Sequence, residues 1–264
     1  MNKKVREFTH VYTEVVQDCE KYTFLPRGIK YQKESIEKLS RLLSLCSKTK
    51  HEVIEEGDEE AANQMLSFSC MINALRFELK MWIDLKNEEW DKAWNSLVDA
   101  EEYAQSARSA HEIIQECSVN EYIDKLRSYQ SSIFPPQQFN SPGMYVKKFT
   151  CSICGEDYSE CEHIAGETYW GEFCQRIPEE IIGTREVSLV DEPADKKARM
   201  TEHLTDDNMI RDQLTWEKRE MTDEEKEQYE DRSDDHMIFT GVVMTSSESN
   251  VDFSEYLPEG TRIE

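Results

Sequence analysis

The sequence predicts a mainly α protein with a small α+β part: an N-terminal antiparallel helical bundle followed by a cysteine-bearing module with short strands. Three observations predict it. Apolar residues between about 30 and 129 recur at three- and four-residue steps, the period that places them on one helical face. The stretch SSIFPPQQFNSPG, residues 131–143, breaks that pattern with prolines and turn formers. Beyond it the apolar runs become short and strand-like.

Within the helical part, Ile36, Leu39, Leu42, Leu43 and Cys46 form one stripe. Gly57 and Asp58 interrupt the pattern, and Asp58 is placed to cap the next helix by accepting a free backbone N–H. That helix carries Met65, Leu66, Phe68, Met71, Ile72, Leu75, Phe77, Leu79, Trp82 and Ile83. The set is too broad for one stripe, which makes this the expected central helix. A third helix begins near Glu88 with Trp90, Ala93, Trp94, Leu97, Ala100 and Ala104, and is expected to continue through Ala107 to Ile113 and Ile114. A shorter fourth, from about Asn120, offers Tyr122, Ile123, Leu126 and Tyr129. Short breaks between long amphipathic helices favour antiparallel neighbours. No second copy of a 34-residue pattern occurs, which argues against a repeat array.

The expected organisation is a helical bundle over 1–130, a linker over 131–143, a module over 144–200, and an acidic C-terminal segment with a short strand over 201–264. Pro135 and Pro136 fix φ and remove backbone donors, and Asn140, Ser141, Pro142 and Gly143 form turns. Strands are expected at 144–151, 185–190 and 237–244, with an acidic helical stretch from about Asp206 to Asp235. Residues 201–264 hold 19 acidic and 6 basic side chains, so this segment can bury little apolar surface per residue.

Over all 264 residues, 55 acids against 31 bases leave a formal charge of −24. Such a field repels phosphate, which disfavours nucleic acid as a partner and favours a basic protein. The N-terminus MNKKVREFTHVYTEVV holds no apolar run of signal-peptide length, and no later run approaches a membrane span. The expectation is a reducing cytoplasmic setting with no membrane association, in which the eight cysteines are thiols or metal ligands and not a disulfide framework. Cys19, Cys46, Cys70 and Cys117 are spread through helical patterns as small apolar residues, whereas Cys151, Cys154, Cys161 and Cys174 lie within one short stretch.

That stretch, CSICGEDYSECEH, reads Cys-x2-Cys, six residues, then Cys-x-His. Two thiolates separated by two residues grip one ion from a tight turn, and Gly155 lets the backbone fold over the sulfurs. The expected ligands are Cys151, Cys154, Cys161 and His163, with Cys174 as the rival for His163's place. Thiolates with an imidazole in a closed tetrahedral set favour a single structural Zn2+, which makes residues 144–200 a zinc-stabilised module. Phosphate loops, dinucleotide-binding glycine motifs, hydrolase serine elbows and HExxH do not occur, and the string MTDEEKEQYEDRSDD lacks the spacing of a calcium loop.

The run CSICGEDYSECEHIAGETYWGEFC resembles a cysteine–histidine element of proteins from tailed phages and their prophages. EVSLVDEPAD, residues 186–195, resembles the strand and turn that follow the active site in phage prohead (head-maturation) serine proteases and related capsid-assembly proteins. The resemblance covers about residues 150–200. It carries the metal ligands over as Cys151, Cys154, Cys161 and His163, and it implies a role in head assembly or in contact with phage components. The catalytic part does not carry over. Those proteases have their serine in a short strand before the EVSLV-like segment, where this chain has QRIPEEIIGT, and Ser188 sits inside the strand-like run.

The expected function is therefore that of a non-enzymatic, zinc-binding interaction or scaffold protein, with a protein partner or self-association through the bundle. The alternatives are a divergent prohead-protease-like hydrolase and an acidic nucleic-acid mimic that occupies a basic protein.

Overall fold

The computed structural model describes residues 1–229, 239–241 and 253–258. It is mainly α with a small α+β part, as the sequence predicts. Helices α1 (Lys3–Glu20), α2 (Ile29–Glu55), α3 (Glu59–Lys86), α4 (Trp90–Ala110) and α5 (Val119–Ile133) come first. Strands β1 (Phe139–Cys151), β2 (Thr168–Tyr169), β3 (Glu172–Phe173), β4 (Arg176–Val190), β5 (Met200–Leu204), β6 (Met209–Asp212) and β7 (Lys218–Glu220) follow, then helix α6 (Asp223–Tyr229) and strand β8 (Phe239–Gly241). The chain forms two compact units. The first holds Met1–Tyr129, Val146–Ile182 and Asn250–Glu264, and the second holds Gln130–Tyr145 and Gly183–Ser249.

In the first unit α3 is the central helix, buried along most of its length from Ala61 to Leu85. Three-residue connections on either side of it leave successive helices no geometry but antiparallel packing. Helix α1 lies ahead of the stretch from about residue 30 whose periodicity predicts helices, and it buries Val5, Phe8, Tyr12, Val16 and Cys19 at three- and four-residue steps. Asp58 caps α3 by accepting from the Ala61 N–H at 3.0 Å, and it also accepts from Asn2 Nδ2 at 2.8 Å. Glu59 and Glu60 place negative charge in the first turn, where the helix dipole favours it. Fully buried Ala93, Ala100, Ala104 and Ala107 let α4 approach its neighbours closely.

Helix α4 stops at Ala110, short of the expected Ile113 and Ile114. His111 turns extended, and its Nδ1 accepts from the Ile113 N–H at 2.9 Å, starting a 3₁₀ turn over Glu112–Cys117. Ile114 is buried nonetheless, so the turn serves the same core as the helix would have.

The interior of α3 also carries charge. Glu78 accepts from Tyr122 Oη at 2.8 Å and Lys125 Nζ at 3.0 Å, which fastens α5. Lys80 Nζ donates to Asp84 Oδ2 and Ser96 Oγ, both at 3.0 Å, which fastens α4. Burial pushes the carboxyl groups of Glu78 and Asp84 up, and the facing lysines Lys125 and Lys80 oppose that shift.

In the second unit β5 is flanked by antiparallel β6 and β8, and β6 by β7, giving the order β7-β6-β5-β8. Phe134, Phe139, Ala198, Met200, Ile210 and Leu214 are buried there. The segment from Asp206 to Glu220 was expected to be helical and is a meander instead. Asn208, at φ 57°, makes the tight turn between β5 and β6, and Trp216, at φ 62°, lies between β6 and β7. Only Asp223–Tyr229 of the expected acidic helix is helical among the described residues, and most of 230–235 and 237–244 lies outside them.

Strands β1 and β4 pair as a two-stranded sheet. Both run longer than the sequence predicts, and β1 begins inside the expected linker. Pro142 is tolerated because every strand of a two-stranded sheet is an edge, where a missing N–H costs no central ladder bond. No helix among the described residues is long and apolar enough to cross a membrane.

The cap is a direct test of how α3 starts. Asp58→Ala should lower stability by about 1 kcal/mol in urea unfolding, the usual cost of losing an N-cap oxygen. An unchanged midpoint would mean that the cap contributes nothing.

Candidate metal centre

Strand β1 delivers Cys151 at its last position, and the chain then folds over the sulfur. The Gly155 N–H donates to the Cys151 carbonyl at 2.9 Å, and the Ile153 N–H donates to Cys151 Sγ at 3.4 Å. Gly155 has φ +73°, a backbone state that a side chain would strain. Asp157 continues the turn by accepting from the Ser159 N–H at 2.9 Å and the Ser159 hydroxyl at 2.7 Å, bringing Cys161 back toward Cys151.

Two tyrosines hold the loop after Cys161. Tyr158 Oη accepts from the Ala165 N–H at 2.9 Å, and Tyr169 Oη accepts from the Ile164 N–H at 3.1 Å. The Tyr169 ring also meets the His163 ring edge-on, centroids 4.6 Å apart at 90°. Thus the His163 ring is positioned by the hairpin β2–β3, whose register pairs Thr168 with Phe173 and Tyr169 with Glu172.

The ligand atoms of Cys151, Cys154, Cys161 and His163 all lie within 4.8 Å of one another, and these four residues form a group able to hold a metal ion. Cys151 is buried, Cys161 and His163 are half-buried, and Cys154 is exposed. His163 Nδ1 is buried and has no hydrogen-bond partner, an orphaned polar atom whose need a metal ion would meet. The rival ligand is close as well. Cys174 is buried, with its Sγ 3.7 Å from Cys151 Sγ.

The thiols are not equivalent. Burial raises the Cys151 pKa, but the N–H groups of Cys154 and Ile153 and the thiols of Cys174 and Cys154 outweigh it and bring the value down to about 6. Burial pushes Cys161 up, an effect partly offset by the His163 N–H. Cys174 is pushed up to about 11 by burial and by its neighbour Cys151. Cys151 is thus the thiolate around which a cation would first be held.

The hairpin also fixes the centre to the helices of the same unit. At its turn the Gly171 N–H donates to Asn63 Oδ1 at 2.8 Å, and the Trp170 N–H donates to Glu59 Oε1 at 3.2 Å. Lys50 Nζ of α2 donates to the Gly171 carbonyl at 3.1 Å. Gly171 has φ +77°, and a Cβ there would lie 2.9 Å from Lys50 Cδ and 3.0 Å from the Ala62 carbonyl oxygen. Sequence reasoning gave these residues no role. The only local signal is the Trp-Gly pair at the centre of a short hairpin, since Asn63 and Lys50 lie far away in the chain.

Ser188 is exposed on β4. No protein family's model matches this chain, and neither a curated protein nor a solved structure matches it.

Gly171→Ala should lower stability by about 2 kcal/mol, the scale of a strained left-handed residue that also meets close neighbours. Metal content should stay as in the parent, because the ligands are untouched. Chemical unfolding with metal analysis checks both, and unchanged stability would contradict the docking described here.

Proposed function

We propose that this chain is a non-enzymatic interaction protein in which one zinc ion, held by Cys151, Cys154, Cys161 and His163, fixes a small module on a helical bundle. The observation that carries this reading is the closed Cys3His group with its orphaned imidazole nitrogen. Tetrahedral zinc–thiolate geometry, with Zn–S of about 2.3 Å, separates two ligand sulfurs by about 3.8 Å. A group already gathered within 4.8 Å needs little movement to reach it. Thiolates and imidazole select zinc over harder cations, and four protein ligands leave no open position for water or substrate. The role of the ion is then structural. It holds together a segment with few large buried side chains of its own.

Support for association lies on β4 more than in the bundle, whose apolar residues are largely consumed inside the chain. Ile177 and Ile181, four residues apart and so on one face of β4 in the first unit, are exposed, as are Val187 and Leu189 in the second. Exposed apolar side chains at alternate positions mark a surface for another protein or a second copy. The resemblance of residues 150–200 to phage capsid-assembly proteins gives this reading its context, a partner among phage head components.

Metal analysis of a substitution series tests the site. One zinc per chain is expected, lost in Cys151→Ser and in Cys161→Ser and kept in Cys174→Ser. Retention in all three would refute it, and loss in Cys174→Ser with retention in His163→Ala would move the fourth ligand to Cys174.

Light scattering across concentrations tests association. The parent chain should grow in apparent mass as concentration rises, and a variant with Ile177→Lys and Ile181→Lys should not. A strictly monomeric parent would remove the support that β4 gives to this reading.

A further inference from the structure

The charge of the chain has a local exception. Lys33 of α2, Arg76 and Lys80 of α3, and Lys92 of α4 are gathered about one stretch of the C-terminal segment in the first unit, where Lys80 pairs with Asp84 and Lys92 with Glu89, each at 3.0 Å. Arg76 is 8% exposed and has no carboxylate against it among the described residues. Its Nη1 donates to Asn73 Oδ1 at 2.8 Å, while its Nε has no hydrogen-bond partner. Burial draws its pKa down to about 10. A guanidinium kept in the interior with one donor unmet is a costly arrangement, and it is what an anion-accepting groove leaves behind.

What covers that groove is the chain's own segment. Phe253 lies over Arg76, with the guanidinium carbon 3.8 Å from the ring centroid, and packs edge-on against Phe77 at 5.0 Å. Phe77 in turn stacks on Tyr103 of α4 at 5.5 Å. Tyr256 places its ring 4.5 Å from Lys80 Nζ. The Glu255 carbonyl accepts from Lys33 Nζ at 3.1 Å. Phe253, Tyr256 and Leu257 are all buried, three apolar anchors in and directly flanking a 3₁₀ turn over Ser254–Tyr256. The same stretch, VDFSEYLPE, carries three carboxylates within nine residues, and those of Asp252 and Glu259 flank the anchors in the sequence.

We propose that this groove is a recognition site for an acidic aromatic peptide of a partner protein, and that residues 253–257 occupy it in cis until such a peptide displaces them. The proposal rests on the reading of the chain as an interaction protein and names its surface and partner class. Aromatic rings supply the buried area and cation–π contact, and the carboxylates answer Lys33 and Arg76, the two bases that Asp84 and Glu89 leave without an acidic partner among the described residues. A tail on the same chain is present at millimolar effective concentration, so it holds the groove against weak ligands and yields to a tighter or multivalent one.

The probe is a fluorescent synthetic peptide of residues 250–259, NVDFSEYLPE, added to the full chain and to a variant with Phe253→Ala and Tyr256→Ala. The variant should bind it at least about tenfold more tightly than the parent, because the competing tail is gone. Lys33→Glu in that background should weaken binding several-fold, and a peptide with both aromatics changed to Ala should not bind. Lys33 is half-buried at the rim, so this variant keeps its fold where an Arg76 substitution risks losing it. Circular dichroism of each variant confirms folding.

Equal binding by parent and variant would overturn the proposal, as would no binding by either. A parent dimer that becomes monomeric in the Phe253→Ala, Tyr256→Ala variant would assign the groove to a second copy's tail and equally overturn it. Zinc content is measured on the same samples. One zinc per chain with no peptide binding removes the groove and leaves the zinc-stabilised reading standing, whereas peptide binding without zinc does the reverse.

Discussion

An ionised side chain taken out of water must bring its partner with it, because the interior returns too little of the hydration it removes. Helix α3 buries four such groups, Arg76, Glu78, Lys80 and Asp84, within nine residues, and the first unit is arranged around answering them. Glu78 is met by Tyr122 and Lys125, which sets where α5 lies. Lys80 and Asp84 meet each other and Ser96, which sets the register of α4. Arg76 is met by an aromatic ring and one amide oxygen. Removing one member of such a pair leaves the other charge uncompensated, so these contacts specify which packing the apolar helices adopt as well as stabilising it.

The Cys/His group obeys the same rule on a smaller scale. Thiolates gathered this closely repel one another, and the backbone donors at Cys151 ease that for one of them while Cys161 and Cys174 are pushed toward the protonated form. A divalent cation removes the conflict by neutralising the charge and fixing the geometry together. The bundle contributes what the ion cannot. Asn63, Glu59 and Lys50 satisfy the backbone of the hairpin turn, and that hairpin carries the tyrosine that positions His163. The helices thus reach the metal centre through the turn at Gly171 and not through any ligand.

How much of this could be read from the sequence follows from the range of each interaction. The four residues of the candidate centre lie within thirteen positions, and the thiol spacing points to a metal-binding turn by itself. Helices α2 and α3 were legible from periodicity and from the Asp58 cap. Helix α1 has the same periodicity, but its apolar positions are diluted by polar neighbours and it stands before the stretch where the pattern is strongest. The segment after Asp206 was misleading because acid-rich sequence matches a solvated helix, while the deciding feature was one residue, Asn208, able to adopt φ 57°. The contacts of Gly171 with Asn63 and Lys50 span 108 and 121 residues, and no local pattern encodes a pairing of that separation.

Net charge sets the long-range field, but recognition is decided at contact distance, where salt screens everything beyond about 10 Å. A chain at −24 therefore does not present the same face everywhere. Its acids are spread over solvated helix faces and the C-terminal segment, where they keep it dispersed and turn polyanions away. Arg76 and Lys80 are withdrawn from solvent, where each contact is worth more because less water competes. Binding an anionic peptide there must overcome repulsion from the rest of the molecule, so a peptide with charge alone would be rejected. One that adds buried aromatic area would be retained, as the chain's own Phe253 and Tyr256 add it against Arg76 and Lys80. Selectivity in such a groove comes from this opposition between a repelling field and a local attraction that only an aromatic ligand can complete.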